Sequence, residues 1–379
     1  MPTSIDSAVS HPPSPPRQNY PGVDLLRALA ATLVLAYHIV ELGKFNDLPS
    51  NILTTVFRYG WVGVDLFLVI SGFVIALSAL SGAQRQGAGF RREFAIRRLA
   101  RIAPLYLLTS ALFLALLKPQ NLFVSIPQLI AQLGSHLLFI HNLFVSTHGS
   151  INGPTWSIGL EMQFYLVMLL LAPWLIRVQP ARLLFGALVV GVLWRGLTTL
   201  IWAPGSALPI IQFIYLTQLP GTIDQFAFGI AMALAVHHRN GFARRCLSLG
   251  WSAFFVWALL GSTLLLLAAW AIRTYSYWES SLMLMYWRPL LGAGFAALLG
   301  ASLTLPVAGA RLLAPIRYIG TISYGIYLWH MLVLISVTSW IPGLTTRPFA
   351  TAVTVLTLIL ASLSWHLLEK PNIQLHKGG

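Results

Sequence analysis

The sequence has little charge and a single cysteine. Asp, Glu, Lys and Arg make up 9% of the 379 residues, whereas 57% of the residues are hydrophobic. Soluble domains contain about a quarter charged residues, so this composition excludes an ordinary soluble enzyme. Because Cys246 is the only cysteine, the chain cannot form an intramolecular disulfide, nor a redox or zinc site that needs several thiolates.

Several motifs that mark common enzyme classes are also missing. The sequence has no phosphate-binding glycine loop, no Rossmann fingerprint and no Gly-X-Ser-X-Gly nucleophile elbow. Three histidines, His136, His141 and His148, lie close together in the chain, but the first two are five residues apart and no carboxylate lies beside them. That spacing differs from the His-Glu-X-X-His motif, so we predict no metal site.

Acidic residues are scarce relative to basic residues. The chain has 24 Lys and Arg residues against 10 Asp and Glu residues, which gives a formal net charge of +14. In a soluble protein this balance would suggest a nucleic-acid partner, whereas in a membrane protein basic loops keep one side of the chain in the cytoplasm. The hydrophobic composition favours the second explanation, so we expect membrane lipids and no nucleic acid among the partners.

What the sequence does contain is a series of long apolar runs, many of which reach the roughly 20 residues needed to cross a bilayer. The runs extend over nearly the whole chain, so we predict an all-α fold, a single polytopic transmembrane helical bundle at residues 21–371. Residues 1–20 are rich in proline and are predicted to form a disordered cytoplasmic tail, and residues 372–379 a short cytoplasmic tail. The apolar runs lie at about 23–43, 61–81, 102–117, 127–146, 156–176, 183–203, 221–237, 251–272, 286–305, 318–340 and 348–368.

The run at 127–146 differs from the others because it is polar. It carries several glutamines together with His136 and His141, which would be costly on a lipid-facing helix. We therefore predict a re-entrant or buried helix there, which leaves about ten spans and puts both termini in the cytoplasm. This arrangement gathers most basic residues in cytoplasmic segments, whereas an eleventh span would separate the arginine-rich segments at 85–101 and 239–245.

Few charged residues lie inside the predicted spans, where each costs about 2.5–3.5 kcal/mol at the helix centre. In the first span Arg27 precedes His38 by eleven residues, which is close to three full helical turns. The two side chains therefore share one face of the helix and lie about 16 Å apart along its axis. Arg27 could instead be an anchor at the membrane surface, paired with Asp24, and His38 could be a packing histidine.

Three more ionisable residues are expected within the membrane. Asp65 lies about two turns below the outer surface and needs a histidine or arginine partner, and Glu161 lies about 8 Å into its span. His330 is expected near the depth of His38, with Tyr327 beside it on the helix surface. Two histidines and two acids at compatible depths would form a buried polar cluster of the kind typical of functional sites.

A basic segment joins the second and third spans. Arg97 and Arg98 both lie within about one helical turn of Arg101, so their guanidinium groups can converge on one anion. The same residues would also serve as a simple topology signal or as a contact for anionic lipids. The residues of this segment do not separate these alternatives.

Six motifs occur in a fixed order from about residue 20 to residue 371. They are Arg27 with His38, Gly63-Val64-Asp65-Leu66-Phe67 with Ser71-Gly72-Phe73, Arg98-Leu99-Ala100-Arg101, Trp156-Ser157 with Glu161 and Phe164-Tyr165-Leu166, Ser323-Tyr324 with Tyr327-Leu328-Trp329-His330, and Glu369-Lys370-Pro371. This ordered set resembles acyltransferase family 3, the integral-membrane acyltransferases that modify bacterial surface carbohydrates. Two positions depart from the family pattern without removing a reactive group: Leu68, where many members have Phe, and Lys370, where Arg is frequent.

The resemblance implies ten core spans, a cytoplasmic acyl-CoA donor and an acceptor presented on the opposite face. It implies that the acceptor is a hydroxyl group of a cell-surface carbohydrate or a glycolipid, that the acyl group is acetyl by default, and that the membrane is the bacterial inner membrane. Arg27 and His38 match the family's paired Arg and His, and Arg98 and Arg101 match its Arg-X-X-Arg element. An acyl thioester is already activated, so we expect no permanently bound cofactor.

The chemistry of acyl transfer suggests roles for these residues. A hydroxyl nucleophile needs a base, and histidine is the side chain that most often serves as one. Asp65 or Glu161 could orient the histidine as the acid of a catalytic triad does, and guanidinium groups match the phosphate charges of CoA. We therefore predict a catalytic group of His38, Arg27, Glu161, Asp65 and His330, contacts to acyl-CoA from Arg97, Arg98 and Arg101, and contacts to the substrate from Tyr324, Tyr327, Trp156 and Ser71.

Two other functions fit the composition. A polytopic transporter of a sugar, lipid or proton-coupled solute would use intramembrane His, Asp and Glu residues as relay or substrate groups. A signalling or scaffold membrane protein would need no turnover at all. The arginine-rich helix and the two histidines at similar depth favour the enzyme, and release of CoA thiol would separate it from both alternatives.

Overall fold

The computed structural model describes residues 20–43, 48, 51–205, 209–238, 246–248, 250–306 and 311–376. Within these ranges the regular elements are all helical, which confirms the predicted all-α fold. The α-helices are α1 (Pro21–Leu42), α2 (Ile52–Arg58), α3 (Gly63–Gln86), α4 (Phe90–Leu112), α5 (Ile126–Leu137), α6 (Trp156–Leu175), α7 (Pro180–Ile201), α8 (Pro209–Leu216), α9 (Leu219–His238), α10 (Trp251–Thr274), α11 (Ser281–Thr304), α12 (Ala314–Thr321), α13 (Ser323–Trp340), α14 (Thr346–Ser364) and α15 (Lys370–Leu375).

Most of these helices are built to cross a membrane. In the described part of the chain, nine are long and apolar enough to do so: α1, α3, α4, α6, α7, α9, α10, α11 and α14. The helices α12 and α13 meet with a bend of 67°, and they make a tenth span if the bent pair crosses as one. The number of spans thus agrees with the prediction of about ten.

The predicted re-entrant run at 127–146 contains α5 and an irregular segment. α5 has 12 residues, which corresponds to about 18 Å and is too short for the roughly 30 Å of hydrocarbon. Just after α5, Phe139 adopts a left-handed conformation with a φ of 56°, and short 3₁₀ turns then lead to α6. The polar face of α5, with Gln132 and His136, is buried. The run is therefore not a full span, as predicted.

The two helices α3 and α9 approach each other closely through glycines. Gly72 of α3 lies against the backbone of Phe226, and Gly229 of α9 lies against the backbone of Val69. A Cβ atom at either glycine would overlap a carbonyl oxygen, so a larger residue would push the helices apart. Small residues at such crossings are typical of membrane helices, which are held together by packing contacts. Because α3 also packs against α1, α6 and α11, this crossing fixes the centre of the bundle.

The outer helices expose large apolar side chains. On α10, for example, Phe255, Leu259 and Leu266 are 62%, 69% and 70% exposed. Soluble proteins rarely expose contiguous apolar surface of this kind, whereas a lipid-facing helix does so along its whole length. The protein is therefore an integral-membrane protein whose core contains the polar groups and whose periphery is apolar.

Some predicted features lie outside the described residues. They include the proline-rich tail at 1–19, the basic segment at 239–245 and Lys377. At the other end of the chain, α15 continues to Leu375, so residues 372–375 of the predicted tail are helical.

Candidate functional site

A cleft lies between α1, α3, α4, α6 and α13 and has an empty volume of about 750 Å³. Seven residues predicted from the sequence line its walls, although they come from distant parts of the chain. They are Arg27, Ser71, Arg98, Arg101, Glu161, Tyr324 and Tyr327.

Three arginines supply the positive charge of the cleft. Arg27 extends from α1, Arg98 and Arg101 extend from neighbouring turns of α4, and all three side chains are half-buried. Among the described residues, none of the three makes a hydrogen bond or an ion pair. The guanidinium carbon of Arg98 lies 5.2 and 5.5 Å from the ring centroids of Phe94 and Tyr165. Half-buried cations without a paired anion favour an anionic ligand.

Arg97 differs from its two neighbours on α4. It forms an ion pair with Glu93, one turn earlier on the same helix, and it does not line the cleft. The structure therefore separates Arg97 from the predicted donor-binding group. The physical reason is that a carboxylate four residues away offers a nearer partner than any ligand in the cleft.

Glu161 is held at the wall of the cleft by two hydroxyl groups. Its Oε1 accepts hydrogen bonds from Ser71 Oγ at 3.1 Å and from Tyr165 Oη at 2.9 Å. Tyr165 lies one turn further along α6, so this hydrogen bond fixes the carboxylate against its own helix. The cleft thus contains one positioned carboxylate as well as three unpaired cations.

The two predicted substrate-binding tyrosines use their hydroxyl groups within the protein. Tyr324 donates to the backbone carbonyl of Ile102 at 2.7 Å, and Tyr327 donates to that of Pro154 at 2.7 Å. The Tyr327 hydroxyl also lies 2.7 Å from Ser157 Oγ, with which it forms a hydrogen bond. Both tyrosines can therefore offer a ligand their ring surfaces rather than their hydroxyl protons.

His38 and His330 are in direct contact although they lie 292 residues apart in the chain. Nδ1 of His38 is 3.2 Å from Nε2 of His330, and the ring centroids are 4.9 Å apart. The ring of His330 also lies 5.8 Å from that of Tyr327, which lines the cleft. The histidine pair is therefore located just beyond the tyrosine end of the cleft, at the common depth that the sequence predicted.

Backbone carbonyl groups determine which nitrogens of the histidine pair carry protons. A carbonyl oxygen only accepts, so His330 Nδ1, 3.2 Å from the carbonyl of Ile326, donates its proton there. His330 Nε2 then carries a lone pair and accepts a hydrogen bond from His38 Nδ1–H. The same His38 Nδ1 also lies 2.9 Å from the Val34 carbonyl oxygen. The remaining nitrogen, His38 Nε2, carries a lone pair and has no hydrogen-bond partner in the described ranges.

The two acids do not contact the histidines, contrary to the expectation of a triad. Asp65 forms a buried ion pair with Arg288 of α11, with 2.5 Å between Oδ1 and Nη1, and it does not line the cleft. Glu161 is held by hydroxyl groups instead. For Asp65 the physical reason is that the buried guanidinium of Arg288 is permanently charged and needs a carboxylate more than a neutral histidine does.

A second buried ion pair joins α7 to α9. Arg195 Nη2 lies 2.8 Å from Asp224 Oδ2, and both side chains are fully buried. The same guanidinium group donates to the carbonyls of Gly221 at 2.6 Å and Met285 at 3.0 Å. With these bonds the buried charge is well satisfied, so this pair is structural.

Trp156 lies away from the cleft, although the sequence analysis grouped it with the substrate-binding residues. Its ring stacks on His148 at 6.1 Å and meets Phe213 edge-on at 5.3 Å. Two serines that the sequence analysis named only as members of motifs, Ser157 and Ser323, line the cleft instead. Each serine is adjacent in sequence to an aromatic residue of a motif. The motifs therefore pointed to the right part of the chain, but the substrate-binding role was assigned to the aromatic neighbour.

Sequence comparisons agree with this geometry. A family model described as an acyltransferase domain matches residues 20–366. The chain is 26% identical over 380 residues to the peptidoglycan O-acetyltransferase OatA of Listeria monocytogenes, with 94% of this chain and 56% of the relative covered. It is 25% identical over 395 residues to the O-acetyltransferase OatA of Staphylococcus aureus, with 93% and 57% covered. The chain thus spans just over half the length of these relatives, and no solved structure matches it.

Proposed function

The chain belongs to acyltransferase family 3, and on that premise we propose that it is a membrane O-acyltransferase. It moves an acyl group, acetyl by default, from acyl-CoA to a hydroxyl group of a cell-surface or lipid-linked carbohydrate. One observation carries the proposal: a cleft lined by three unpaired guanidinium groups ends beside a histidine with a free ring nitrogen. The first feature suits an anionic donor, and the second suits removal of a proton.

The donor binds at the arginine end of the cleft in this proposal. CoA carries several phosphate charges, and Arg27, Arg98 and Arg101 present guanidinium groups that can bind phosphate through two hydrogen bonds each. The apolar wall between the arginines and the histidine pair, which includes Phe67 and the ring of Tyr327, suits the uncharged part of the donor. The thioester would then lie close to the histidine pair.

His38 acts as the general base. As the acceptor oxygen attacks the thioester carbonyl, its proton moves to His38 Nε2, a C–O bond forms and the C–S bond breaks. CoA leaves as a thiolate, which then takes up the proton. The charge that develops on the His38 ring is stabilised because its Nδ1–H is shared between two acceptors, the Val34 carbonyl at 2.9 Å and His330 Nε2 at 3.2 Å. His330 is thus a positioning residue at the place that an acid occupies in a catalytic triad.

The proposal predicts the effect of removing the arginines of α4. Arg98→Ala or Arg101→Ala should each weaken acyl-CoA binding by about tenfold or more, because each removes charge-assisted hydrogen bonds. Lysine should rescue only in part, since a point charge does not reproduce the planar guanidinium fork. Calorimetric titration with acetyl-CoA in nanodiscs measures the affinity.

Arg97→Ala is the matched control for this experiment. It removes the same charge from the same helix, but Arg97 is paired with Glu93 and does not line the cleft. Its affinity for acetyl-CoA should therefore equal that of the wild type. If the Arg98 and Arg101 variants also bind acetyl-CoA with wild-type affinity, these arginines set the membrane topology and do not bind the donor.

The proposed location is the bacterial inner membrane, with both termini in the cytoplasm. With ten crossings, both termini lie on the same side of the membrane. The connection from α3 to the arginine-rich start of α4 lies on that side too, and basic connections are typical of the cytoplasmic side. In a Cys246→Ser background, a cysteine at Gln86 should be protected from an impermeant maleimide in intact cells, and one at Ser276 should react. Permeabilised cells, in which both should react, are the control. If the reagent labels the cysteine at position 86 from outside intact cells, the protein has the orientation opposite to the proposed one.

Release of CoA thiol from acetyl-CoA in the presence of a carbohydrate acceptor tests the function as a whole. A transporter of a sugar, lipid or proton-coupled solute would move its substrate without producing thiol. Membership of an acyltransferase family supports the enzyme over the transporter. Thiol release that does not depend on the acceptor would contradict the proposal.

A further inference from the structure

A connected set of aromatic rings lies at the end of the bundle where α6 and α11 begin. Seven rings from six segments form a continuous series, and successive ring centroids are 6.5 Å apart or less. We call this set the aromatic array. In order of contact its members are His148, Trp156, Phe213, Trp278, Tyr277, Trp61 and Trp287.

The aromatic array differs from the aromatic belts of membrane proteins. Belt residues face the lipid headgroups individually. In the array Trp156, Tyr277 and Trp287 are at most 9% exposed, and Tyr277 packs against Trp287 with 5.4 Å between the ring centroids, while Trp278 is 37% exposed. The rings therefore form part of the protein interior that opens to the outside at Trp278.

The turn at one end of the array contains polar atoms without partners. Nε2 of His148, Oγ of Ser150 and Oδ1 of Asn152 are buried and make no hydrogen bond within the described ranges. Such atoms are costly to bury, so each calls for a ligand or a water molecule. Three of them lie within five residues beside the aromatic array, so this turn has unused hydrogen-bonding capacity that hydroxyl groups could satisfy.

The polar groups of this turn are uncharged near neutral pH. Burial lowers the pKa of His148 to about 4, so its ring is neutral there. Lys118 donates to the backbone carbonyls of Gly149 at 3.4 Å and Ser150 at 2.9 Å, and so holds the turn in place. The ammonium of Lys118 is already bound to these carbonyls, so the atoms without partners belong to neutral groups, which match the hydroxyl groups of a neutral ligand.

The same turn is connected to the histidine pair. Asn152 Nδ2 donates to the carbonyl of Leu328 at 3.3 Å, two residues before His330 on α13. The carbonyl of Pro154 accepts from Tyr327, one turn earlier on that helix. The segment between the turn and α6 therefore contacts the aromatic array on one side and the helix of His330 on the other.

We propose that the aromatic array and the turn at 148–152 form the binding site for the carbohydrate acceptor. Sugar rings would lie on the partly exposed rings of Trp278, Phe213 and Trp61, and sugar hydroxyl groups would enter the turn to bond to His148, Ser150 and Asn152. The inference rests on the proposed function, because it identifies the site from which an acceptor hydroxyl reaches His38. It also separates the two substrates, with the donor at the arginine cleft and the acceptor at the array.

The experiment measures binding of β-1,4-linked tetramers of glucose and of N-acetylglucosamine to the protein in nanodiscs. The wild type should bind at least one tetramer, and Trp278→Ala should weaken that binding about three- to tenfold. Trp278 is suitable because it is partly exposed, so its removal leaves no cavity in the core. Ser150→Ala tests the polar turn in the same way and should also weaken binding.

Trp270→Ala is the matched control. Trp270 is 60% exposed near the same end of the bundle, on α10, and does not belong to the array. Its removal should leave tetramer binding unchanged, whereas an ordinary aromatic belt would make the Trp270 and Trp278 variants behave alike. A wild type that binds neither tetramer, or a Trp278→Ala variant that binds as the wild type does, overturns the inference.

Thiol release in the same preparations distinguishes this inference from the proposed function. If the wild type releases thiol with an acceptor and Trp278→Ala leaves the acceptor KM unchanged, the acceptor site lies elsewhere and the proposed function stands. If the tetramers bind through Trp278 but no thiol is released, the proposed function is wrong. If both acceptor KM and tetramer binding change while donor affinity does not, both are supported.

Discussion

Replacing His38 with alanine should reduce acyl transfer by about 10²–10⁴-fold, the usual contribution of a general base. The reason is that His38 Nε2 is the nitrogen of the pair that carries a lone pair and has no partner in the described structure. Donor affinity should stay near that of the wild type, because His38 does not line the arginine cleft. The measurement is thiol release from acetyl-CoA in membranes of matched protein content. Retention of more than about a tenth of wild-type turnover would contradict the assignment.

His330 variants separate the two histidines. His330→Ala should cost less than His38→Ala, and His330→Asn should recover part of the loss, because an amide oxygen can accept from His38 Nδ1. The rate–pH profile should also change in His330→Ala, since one of the two acceptors of the His38 Nδ1 proton is gone and only the Val34 carbonyl remains. An alanine variant as inactive as His38→Ala, with no rescue by asparagine, would make His330 the base.

Replacing Asp65 with alanine should destabilise the protein by about 3–5 kcal/mol. The substitution leaves Arg288 charged and without its carboxylate, and Arg288 is almost fully buried. The free energy of unfolding can be measured by titration with SDS in mixed micelles. The variant should therefore lose activity through loss of folded protein.

The double variant Asp65→Ala with Arg288→Met decides whether the carboxylate has a further role. Removing both charges should recover much of the stability, because a buried ion pair contributes little more than an apolar pair of similar size. Turnover per folded molecule should then be within about tenfold of the wild type, in contrast to His38→Ala. A stable but inactive double variant would show that Asp65 takes part in catalysis as well.

The membrane-spanning architecture could be predicted because its causes are local. A lipid-facing segment must satisfy its own backbone hydrogen bonds and present apolar side chains, so length and composition identify each helix. The prediction for 127–146 succeeded for the same reason, since polar residues such as Gln132 and His136 need protein rather than lipid around them. The bend of 67° between α12 and α13 was missed, because the apolar run continues through it.

The sequence also determined how far along its helix each polar residue lies. From these positions we could predict that His38 and His330 lie at a similar depth in the membrane. What it could not determine is the rotation and neighbourhood of each helix. Asp65 meets Arg288 because α3 packs against α11, and Arg97 leaves the cleft because Glu93 is nearer.

By itself, then, the sequence determined which segments cross the membrane, which polar residues lie within it, and the family to which the ordered motifs point. Only the tertiary structure decided which of those residues meet. It brought Asp65 to Arg288, which are 223 positions apart in the chain, and His38 to His330, which are 292 positions apart. It also assembled the aromatic array from six segments. The physical reason is that helix formation in a membrane depends on neighbours in the chain, whereas partner choice depends on packing between helices that the chain order does not specify.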